Sequence, residues 1–178
     1  ISKPDWAVNE IQVSQNELRK ISISIDGQIA FGGYDSNVYY MKNVQSRDYT
    51  VLFTVSEGAQ IRDVVISLDG KMIGVADSNG NISLFSLELD KLLCTHKAHI
   101  GHAVCLTFSN KGNYVITGGQ DKLIKIWKIK NKKLEKQFEI VGHEDFITDL
   151  EYDKDSLLWS SSRDKIINCW DLRGLENV

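Results

Sequence analysis

Short apolar stretches alternate with polar turns along the chain, and their spacing is regular. Four segments start with alternating apolar residues and run into a polar turn, over residues 21–27, 64–70, 105–112 and 149–156. β-Branched and aromatic residues at every second position favour strands, whereas Gly, Asp, Asn and Ser favour turns. Each segment therefore predicts a half-buried strand that ends in a tight turn.

These turns repeat with a period of about 43 residues. The first turn of each unit closes at positions spaced 43, 42 and 44 apart, which are Gly27, Gly70, Gly112 and Ser156. A second set of turn positions is spaced 44, 42 and 43 apart and comprises Asp35, Asn79, Asp121 and Asp164. Two separate sets of turn positions that share one period define an internal repeat. Four short strands per unit, with a single proline in the chain, are typical of propeller blades.

The last two units carry motifs that resemble the WD40-repeat family. The matching segments are residues 98–128 and 142–171, and the second holds a Gly-His opening at Gly142 and His143 and a closing Trp170-Asp171 pair. The first two units are degenerate at the His and Trp positions of the motif, where the chain has Ser14, Glu57, Met41 and Phe85.

This resemblance implies an all-β fold, a WD40 β-propeller of about four blades with four antiparallel strands each. After an N-terminal segment, 1–14, we expect four repeats over about 15–56, 57–98, 99–141 and 142–178. Residues 6–14 alternate like the strand that closes the ring in this family. Four repeats are few for the family, so we expect part of a larger seven- or eight-bladed ring. The alternative is a closed four-bladed or self-paired assembly.

Composition and charge exclude several other classes. The chain has 178 residues, of which 42% are hydrophobic and 25% charged, and a net charge of -3. These values are typical of a globular domain and give no overall reason to expect nucleic-acid or membrane binding. Cys94, Cys105 and Cys169 are odd in number and not closely paired. We therefore expect buried thiols in a reducing compartment, and an intracellular location in the cytoplasm or nucleus.

Two Ser/Thr-His-Asp sets lie one period apart. They are His99, Thr117 and Asp121, and His143, Ser160 and Asp164. A hydrolase needs one such set, and the sequence lacks the Gly-x-Ser-x-Gly turn that exposes a nucleophile. The resemblance implies instead a structural tetrad with Trp127 or Trp170, in which the indole donates to the hydroxyl, the hydroxyl to His, and His to Asp. We therefore expect no enzymatic activity.

Five potential zinc ligands crowd one short segment, namely Cys94, His96, His99, His102 and Cys105. Cysteine and histidine are the usual zinc ligands. However, the resemblance assigns His99 to a tetrad, and both cysteines lie in apolar strand sequences. We expect no metal site and no cofactor.

Function is therefore expected on the loops, which vary freely around a rigid scaffold. By analogy with the family, we expect protein or peptide partners to contact two sets of positions. One set is the residue before the Asp or Asn of each second turn, and the other lies in the loop before the first strand of each unit. The candidates are Tyr34, Ser78, Gln120 and Arg163, together with Arg62, His102 and Asp145.

A lysine-rich run over residues 122–136 offers an alternative, in which an RNA- or ribosome-associated propeller binds RNA or an acidic surface. The candidate residues are Lys125, Lys128, Lys130, Lys132 and Lys133. The same run can be a solvated strand edge whose lysines prevent edge-to-edge pairing. No row of aromatic residues accompanies it for base stacking. We expect no membrane partner.

Overall fold

All regular structure in the described residues is β-strand. The computed structural model describes residues 10–43 and 48–175, and within them there is no helix long and apolar enough to cross a membrane. The strands are β1 (Leu18–Ile23), β2 (Ile29–Gly33), β3 (Asn37–Met41), β4 (Thr50–Thr54), β5 (Ile61–Ile66), β6 (Met72–Asp77), β7 (Asn81–Ser86), β8 (Lys91–Lys97), β9 (Ala103–Phe108), β10 (Tyr114–Gly119), β11 (Ile124–Lys130), β12 (Lys133–Ile140), β13 (Ile147–Tyr152), β14 (Leu157–Ser162) and β15 (Ile167–Asp171).

The strands form four antiparallel sheets that follow the order of the chain. These sheets are β1–β4, β5–β8, β9–β12 and β13–β15. Each described sheet is a meander in which consecutive strands pair, and the fourth has three strands within the described residues. The predicted all-β fold with four repeated units is confirmed.

The first turn of each unit uses a left-handed backbone conformation. Gly27, Gly70 and Gly112 have φ angles of 79°, 69° and 70°, and Ser156 has a φ of 62° at the same place. Glycine adopts such angles without the steric cost of a Cβ atom. The turn positions predicted from the 43-residue spacing are therefore confirmed.

The sheets stack face to face as successive blades, which we number 1 to 4. In blades 2, 3 and 4 the first strand packs on the first two strands of the preceding blade, as β5 does on β1 and β2. Glycines on the second strands allow this close approach. A Cβ on Gly32, Gly74 or Gly118 would lie 2.7, 2.5 or 2.5 Å from a side-chain atom of the next blade.

Apolar cores fill the spaces between blades. Ile61, Val64 and Ile73 are buried between blades 1 and 2. Further cores lie between the later blades and include Leu106 and Ile147. Because each core draws on two blades, packing a blade against its neighbours stabilises both.

The first strand of every blade bulges near its start. The register between the first two strands of each blade shifts at one extra residue, which is Arg19, Arg62, Val104 or Thr148. A bulge bends the strand and redirects the side chain of the extra residue. These four residues therefore occupy equivalent places at the end of the array where the first strands begin, which we call the upper end.

The structure differs from two expectations, on the N-terminal strand and on the cysteines. Residues 10–17 carry no strand, and residues 6–9 of the expected ring-closing strand lie outside the described residues. Cys105 is buried, but Cys94 is half-buried and Cys169 is exposed, so the expectation of three buried thiols is wrong. Cys169 holds on β15 the place that buried Leu84 holds on β7, but no described blade covers it.

Candidate functional site

In blade 4 the four residues of the expected tetrad are joined by hydrogen bonds. The Nδ1 atom of His143 lies 2.8 Å from Oδ2 of Asp164, and its Nε2 lies 2.7 Å from Oγ of Ser160. The indole Nε1–H of Trp170 donates to the same Ser160 oxygen at 2.8 Å. The chain of bonds links the β14–β15 turn to the loop that precedes β13.

Blade 3 holds the same arrangement with threonine as the hydroxyl. His99 Nδ1 lies 2.8 Å from Oδ1 of Asp121, and His99 Nε2 lies 2.8 Å from Oγ1 of Thr117. Trp127 donates its indole N–H to Thr117 Oγ1 at 2.9 Å. In addition, the ammonium of Lys125 donates to Asp121 Oδ2 at 3.2 Å.

Both tetrad aspartates are held as carboxylates. Burial by itself raises the pKa of Asp121, but the bonds from His99 and from the Ile100 amide, with the charge of Lys125, lower it to about 2. Burial likewise opposes a low pKa at Asp164, yet the Glu144 amide and His143 lower it to about 2. An ionised Asp accepts the hydrogen bond that the Nδ1–H of its histidine donates.

The hydroxyls of the two tetrads are shut away from solvent. Thr117 is 0% exposed and Ser160 is 1% exposed, and each oxygen already accepts a tryptophan N–H. A nucleophile needs a substrate within about 3–3.5 Å in the line of attack. The arrangement can therefore bind loops and strands together, but it offers a substrate no path to the hydroxyl.

Blades 1 and 2 use different polar networks. In blade 1 the hydroxyls of Ser14 and Tyr39 donate to Oδ2 of Asp35 at 2.6 and 2.5 Å. In blade 2 the Asp77 carboxylate accepts the backbone amides of Asn79 and Asn81 at 2.8 and 2.9 Å. Tyr39 and Asp77 were missed in the sequence because they stand outside the motif positions.

The loops at the upper end are fixed by one bond that recurs in every blade. In each blade the backbone N–H of the residue before the second-turn Asp or Asn donates to a carbonyl in the loop before the first strand. The pairs are Tyr34 to Glu17 at 3.0 Å, Ser78 to Gln60 at 2.8 Å, Gln120 to His102 at 3.0 Å and Arg163 to Phe146 at 3.0 Å. The predicted partner-binding positions therefore lie at the upper end in all four blades.

A cavity of about 240 Å³ opens among these loops, and we call it the arginine cavity. Its lining comes from all four blades and comprises Arg19, Arg62, His102, Val104, Gln120, Phe146, Ile147, Thr148 and Arg163. Four of the expected binding residues thus meet there. Arg19 and Phe146 were missed, although Arg19 stands 43 residues before Arg62 and the repeat period could have identified it.

Polar contacts order the cavity wall. Arg62 Nη2 donates to Nδ1 of His102 at 2.6 Å, and the His102 amide donates to Gln120 Oε1 at 3.0 Å. Burial, with the charges of Arg62 and Arg19, lowers the pKa of His102. A neutral imidazole has a free acceptor nitrogen, so the low pKa agrees with the bond from Arg62.

The remaining expected binding residues lie outside the cavity. Tyr34 is 39% exposed, and its hydroxyl is 3.4 Å from Arg19 Nη1. Ser78 Oγ accepts the Gln60 amide, and Asp145 Oδ1 accepts the Phe146 amide. The side chains of Ser78 and Asp145 are therefore used in bonds to the loops of their own blades.

The lysine-rich run is less uniform than its sequence suggests. Lys125 is buried, because its ammonium reaches beneath the turn to the Ala98 carbonyl at 2.7 Å and to Asp121. Its inclusion among the RNA-binding candidates is wrong. Lys128 lies over the Tyr114 ring, 5.7 Å from the centroid. Exposed positions remain at Lys130, Lys132 and Lys133 around the β11–β12 turn.

The five potential zinc ligands are spread over separate contacts. His99 belongs to the blade 3 tetrad, His102 pairs with Arg62, and His96 packs edge-on against Trp127 with centroids 4.9 Å apart. Within residues 10–43 and 48–175 no three His, Cys, Asp or Glu side chains are grouped to hold a metal ion.

The two complete tetrads fall where a family model matches the chain. The model described as WD domain, G-beta repeat matches residues 90–128 and 134–171. The chain contains WD40 repeats. Each match begins before or within the last strand of one blade and ends in the third strand of the next, so the WD40 sequence unit is staggered against the structural blade.

Three curated relatives match parts of the chain, and one of them is named as a WD repeat-containing protein. The chain is 26% identical to the CCR4-associated factor 4 homolog of Vanderwaltozyma polyspora over 58% of its length, and 29% identical to the WD repeat-containing protein 55 homolog of Drosophila persimilis over 64%. It is 30% identical to the non-functional target of rapamycin complex subunit LST8-2 of Arabidopsis thaliana over 55%. The chain spans 18%, 23% and 33% of the lengths of these relatives.

A solved structure shares the arrangement of blades. A chain in the crystal structure of the mitotic checkpoint complex superposes with a TM-score of 0.77, at 18% sequence identity. The likeness covers 97% of this chain and 58% of that one. It shows that the four blades have the β-propeller fold.

Proposed function

We propose that this chain is a non-catalytic scaffold that binds protein or peptide partners at its upper end, within a multiprotein complex. The observation that carries the proposal is the convergence of side chains from four blades, on first-strand bulges and loops, on one cavity. Arg19, Arg62, Gln120 and Arg163 come from blades 1 to 4 in turn and line the same space. No single repeat contains such a surface.

The rigidity of the loops supports this role. The recurring backbone bond holds each second turn on the loop before the first strand, and two blades add a buried tetrad. A surface that is ordered before binding loses less conformational entropy when a partner docks. Arginine and tyrosine, which the upper end presents at Arg163 and Tyr34, are also enriched among residues that dominate interface energies.

The tetrads support the non-catalytic part of the proposal. Their His, hydroxyl and Asp groups have the distances of a serine hydrolase triad, but the hydroxyls are buried and bonded to indole N–H groups. We assign them to stability, since a buried polar group without a partner costs free energy and each of these has one.

Names of the relatives point in the same direction. One is named for association with another factor, and one is named as a non-functional subunit of the target of rapamycin complex. A scaffold role for this chain is in keeping with both names.

The basic run supports the RNA-binding alternative less well. Lys125 is buried and paired, and Lys128 lies against Tyr114, so the exposed charge is concentrated at one hairpin. Binding to RNA draws on many phosphate contacts, and its affinity falls steeply with salt.

Affinity capture tests the proposal. The chain would be tagged and used to capture proteins from an extract, alongside the double variant Tyr34→Ala/Arg163→Ala. We expect the double variant to lose the specifically captured proteins and to keep its melting temperature, because both side chains are exposed. The matched control is Lys132→Ala/Lys133→Ala, which changes two exposed lysines of the basic β11–β12 hairpin instead of the upper end. A set of partners that survives the first variant but disappears with the second would contradict the proposal.

A further inference from the structure

The bulges of the first strands aim one side chain per blade into the arginine cavity. The equivalent residues are Arg19, Arg62, Val104 and Thr148, and all four line the cavity. Two of them are arginines, from blades 1 and 2. The fold therefore brings together two guanidinium groups that are 43 residues apart in the sequence.

A third guanidinium reaches the same cavity from blade 4. Arg163 lies over the ring of Phe146, with its Cζ atom 5.2 Å from the centroid. Stacking on an aromatic face holds a guanidinium in a defined plane and leaves its N–H edge free to donate. In the part of the chain that the structure describes, no Asp or Glu lines the cavity. The positive charges thus converge without a carboxylate among them.

One donor in the cavity wall is buried without an acceptor. The Nε atom of Arg62 is shielded from solvent and makes no hydrogen bond, while Nη2 of the same group is fixed by His102 at 2.6 Å. Burial and the charge of Arg19 lower the pKa of Arg62, which reflects the cost of holding this charge here. An unsatisfied buried donor and unbalanced charge are both relieved when an anionic acceptor binds.

We infer that the arginine cavity binds an anionic side chain, a phosphorylated Ser or Thr or an acidic residue, of the segment that docks at the upper end. The inference rests on the proposed docking function and names the chemistry of the partner. The cavity, at about 240 Å³, is below the ~300–1,000 Å³ of a typical small-molecule site, so it suits one charged side chain. Guanidinium groups match the geometry of phosphate and carboxylate oxygens, with which they form charge-assisted bonds.

Peptide libraries test the inference directly. Three matched libraries with random flanking residues would carry phosphothreonine, glutamate or threonine at the centre, and their binding to the full chain would be followed by fluorescence anisotropy. We expect the phosphothreonine library to bind best and the threonine library least, with affinity that falls as salt is added. Arg62→Gln should weaken phosphothreonine binding by about tenfold or more, since a charge-assisted bond is lost.

Controls separate this inference from the fold and from the proposed function. Arg173→Gln removes an exposed guanidinium that pairs with Asp171 outside the cavity, and it should leave binding unchanged. If Arg62→Gln unfolds, a titration of the wild type tests anion binding instead. Phenyl phosphate is added and the NMR signal of Arg62 Nε–H is followed. A saturable shift supports the inference.

The possible contrary results differ in what they overturn. Equal binding of the three libraries would refute anion recognition while leaving peptide docking intact. If none of the three libraries binds and the Arg62 signal does not shift, the inference is refuted. The capture experiment would then still test the docking function by itself. The inference would also be refuted if the chain bound a homopolymeric RNA more tightly than the phosphothreonine library and this binding depended on the cavity arginines.

Discussion

Each tetrad aspartate lies at one end of the chain of hydrogen bonds in its blade. Because Asp121 and Asp164 are ionised, each accepts the Nδ1–H of its histidine. The opposite ring nitrogen bonds to the hydroxyl, which also accepts the indole N–H. Every polar atom in this chain of bonds has a partner, which is the condition for burying them without loss of stability.

Acid should destabilise the fold through these aspartates. Their pKa values of about 2 lie below the ~3.9 of Asp in an unfolded chain, so the stabilisation is complete above pH ~4 and is lost as the pH falls towards 2. We expect the melting temperature to fall over this range. In Asp121→Asn, which keeps an acceptor for His99 but cannot titrate, the fall should be shallower.

A control carboxylate makes this pH prediction specific. Asp155→Asn changes an exposed side chain on the β13–β14 turn and should leave the slope of the wild type unchanged. Thermal unfolding followed by circular dichroism at a series of pH values measures all three proteins. An Asp121→Asn variant with the same acid slope as the wild type would count against the assignment.

The repeated spacing identified these residues and the resemblance to the WD40 family implied their bonds, but neither predicted their surroundings. The His, hydroxyl and Asp positions stand at fixed intervals in two units, which a single sequence can show. Lys125 shows the limit, since its side chain turns under a loop to reach Ala98 and Asp121. That path depends on the three-dimensional position of the loop, so a count of lysines overestimates the exposed charge.

At the level of elements, the register of the first strands decides what the upper end presents. The bulge in each first strand is visible only once the strands are paired, because it is a mismatch between two chain segments. The alternation of apolar residues located the first strand of each blade from the sequence, with its start placed two or three residues late. It could not show that Arg19 and Arg62 leave that alternation and point into one cavity.

Contact between neighbouring blades depends on a residue without a side chain. A Cβ on Gly118 of β10 would lie 2.5 Å from Cγ2 and 2.9 Å from Cβ of Ile147 on β13. We expect Gly118→Ala to lower the free energy of unfolding by about 1–3 kcal/mol, because blades 3 and 4 must move apart or strain. Urea unfolding provides the measurement.

The matched control for this prediction is Gly174→Ala. A Cβ at Gly174 would meet nothing within 4 Å, so its substitution should change stability by no more than about 0.5 kcal/mol. Equal stability of the two variants would contradict close packing of Gly118 against Ile147 between blades 3 and 4.

On the scale of the whole molecule, the described blades leave the outer face of blade 1 apolar and uncovered. Ile21 and Ile23 of β1 are 64% and 62% exposed, whereas Val64 and Ile66 hold the same places on β5 and are buried between blades. The repeat made this equivalence predictable, because a residue 43 positions away has the same role. The two strands differ in whether a neighbouring blade covers them, and the sequence of a single repeat does not encode that neighbour.

Site-specific photo-crosslinking tests the central claim, that protein partners bind at the upper end, most directly. A photoreactive amino acid would replace Gln120, at the rim of the arginine cavity, or Lys132, on the exposed β11–β12 turn, in the otherwise unchanged chain. Irradiation in an extract should join discrete proteins to the chain through position 120 and not through position 132. Discrete protein adducts at position 132 alone, or RNA adducts at both, would contradict the account.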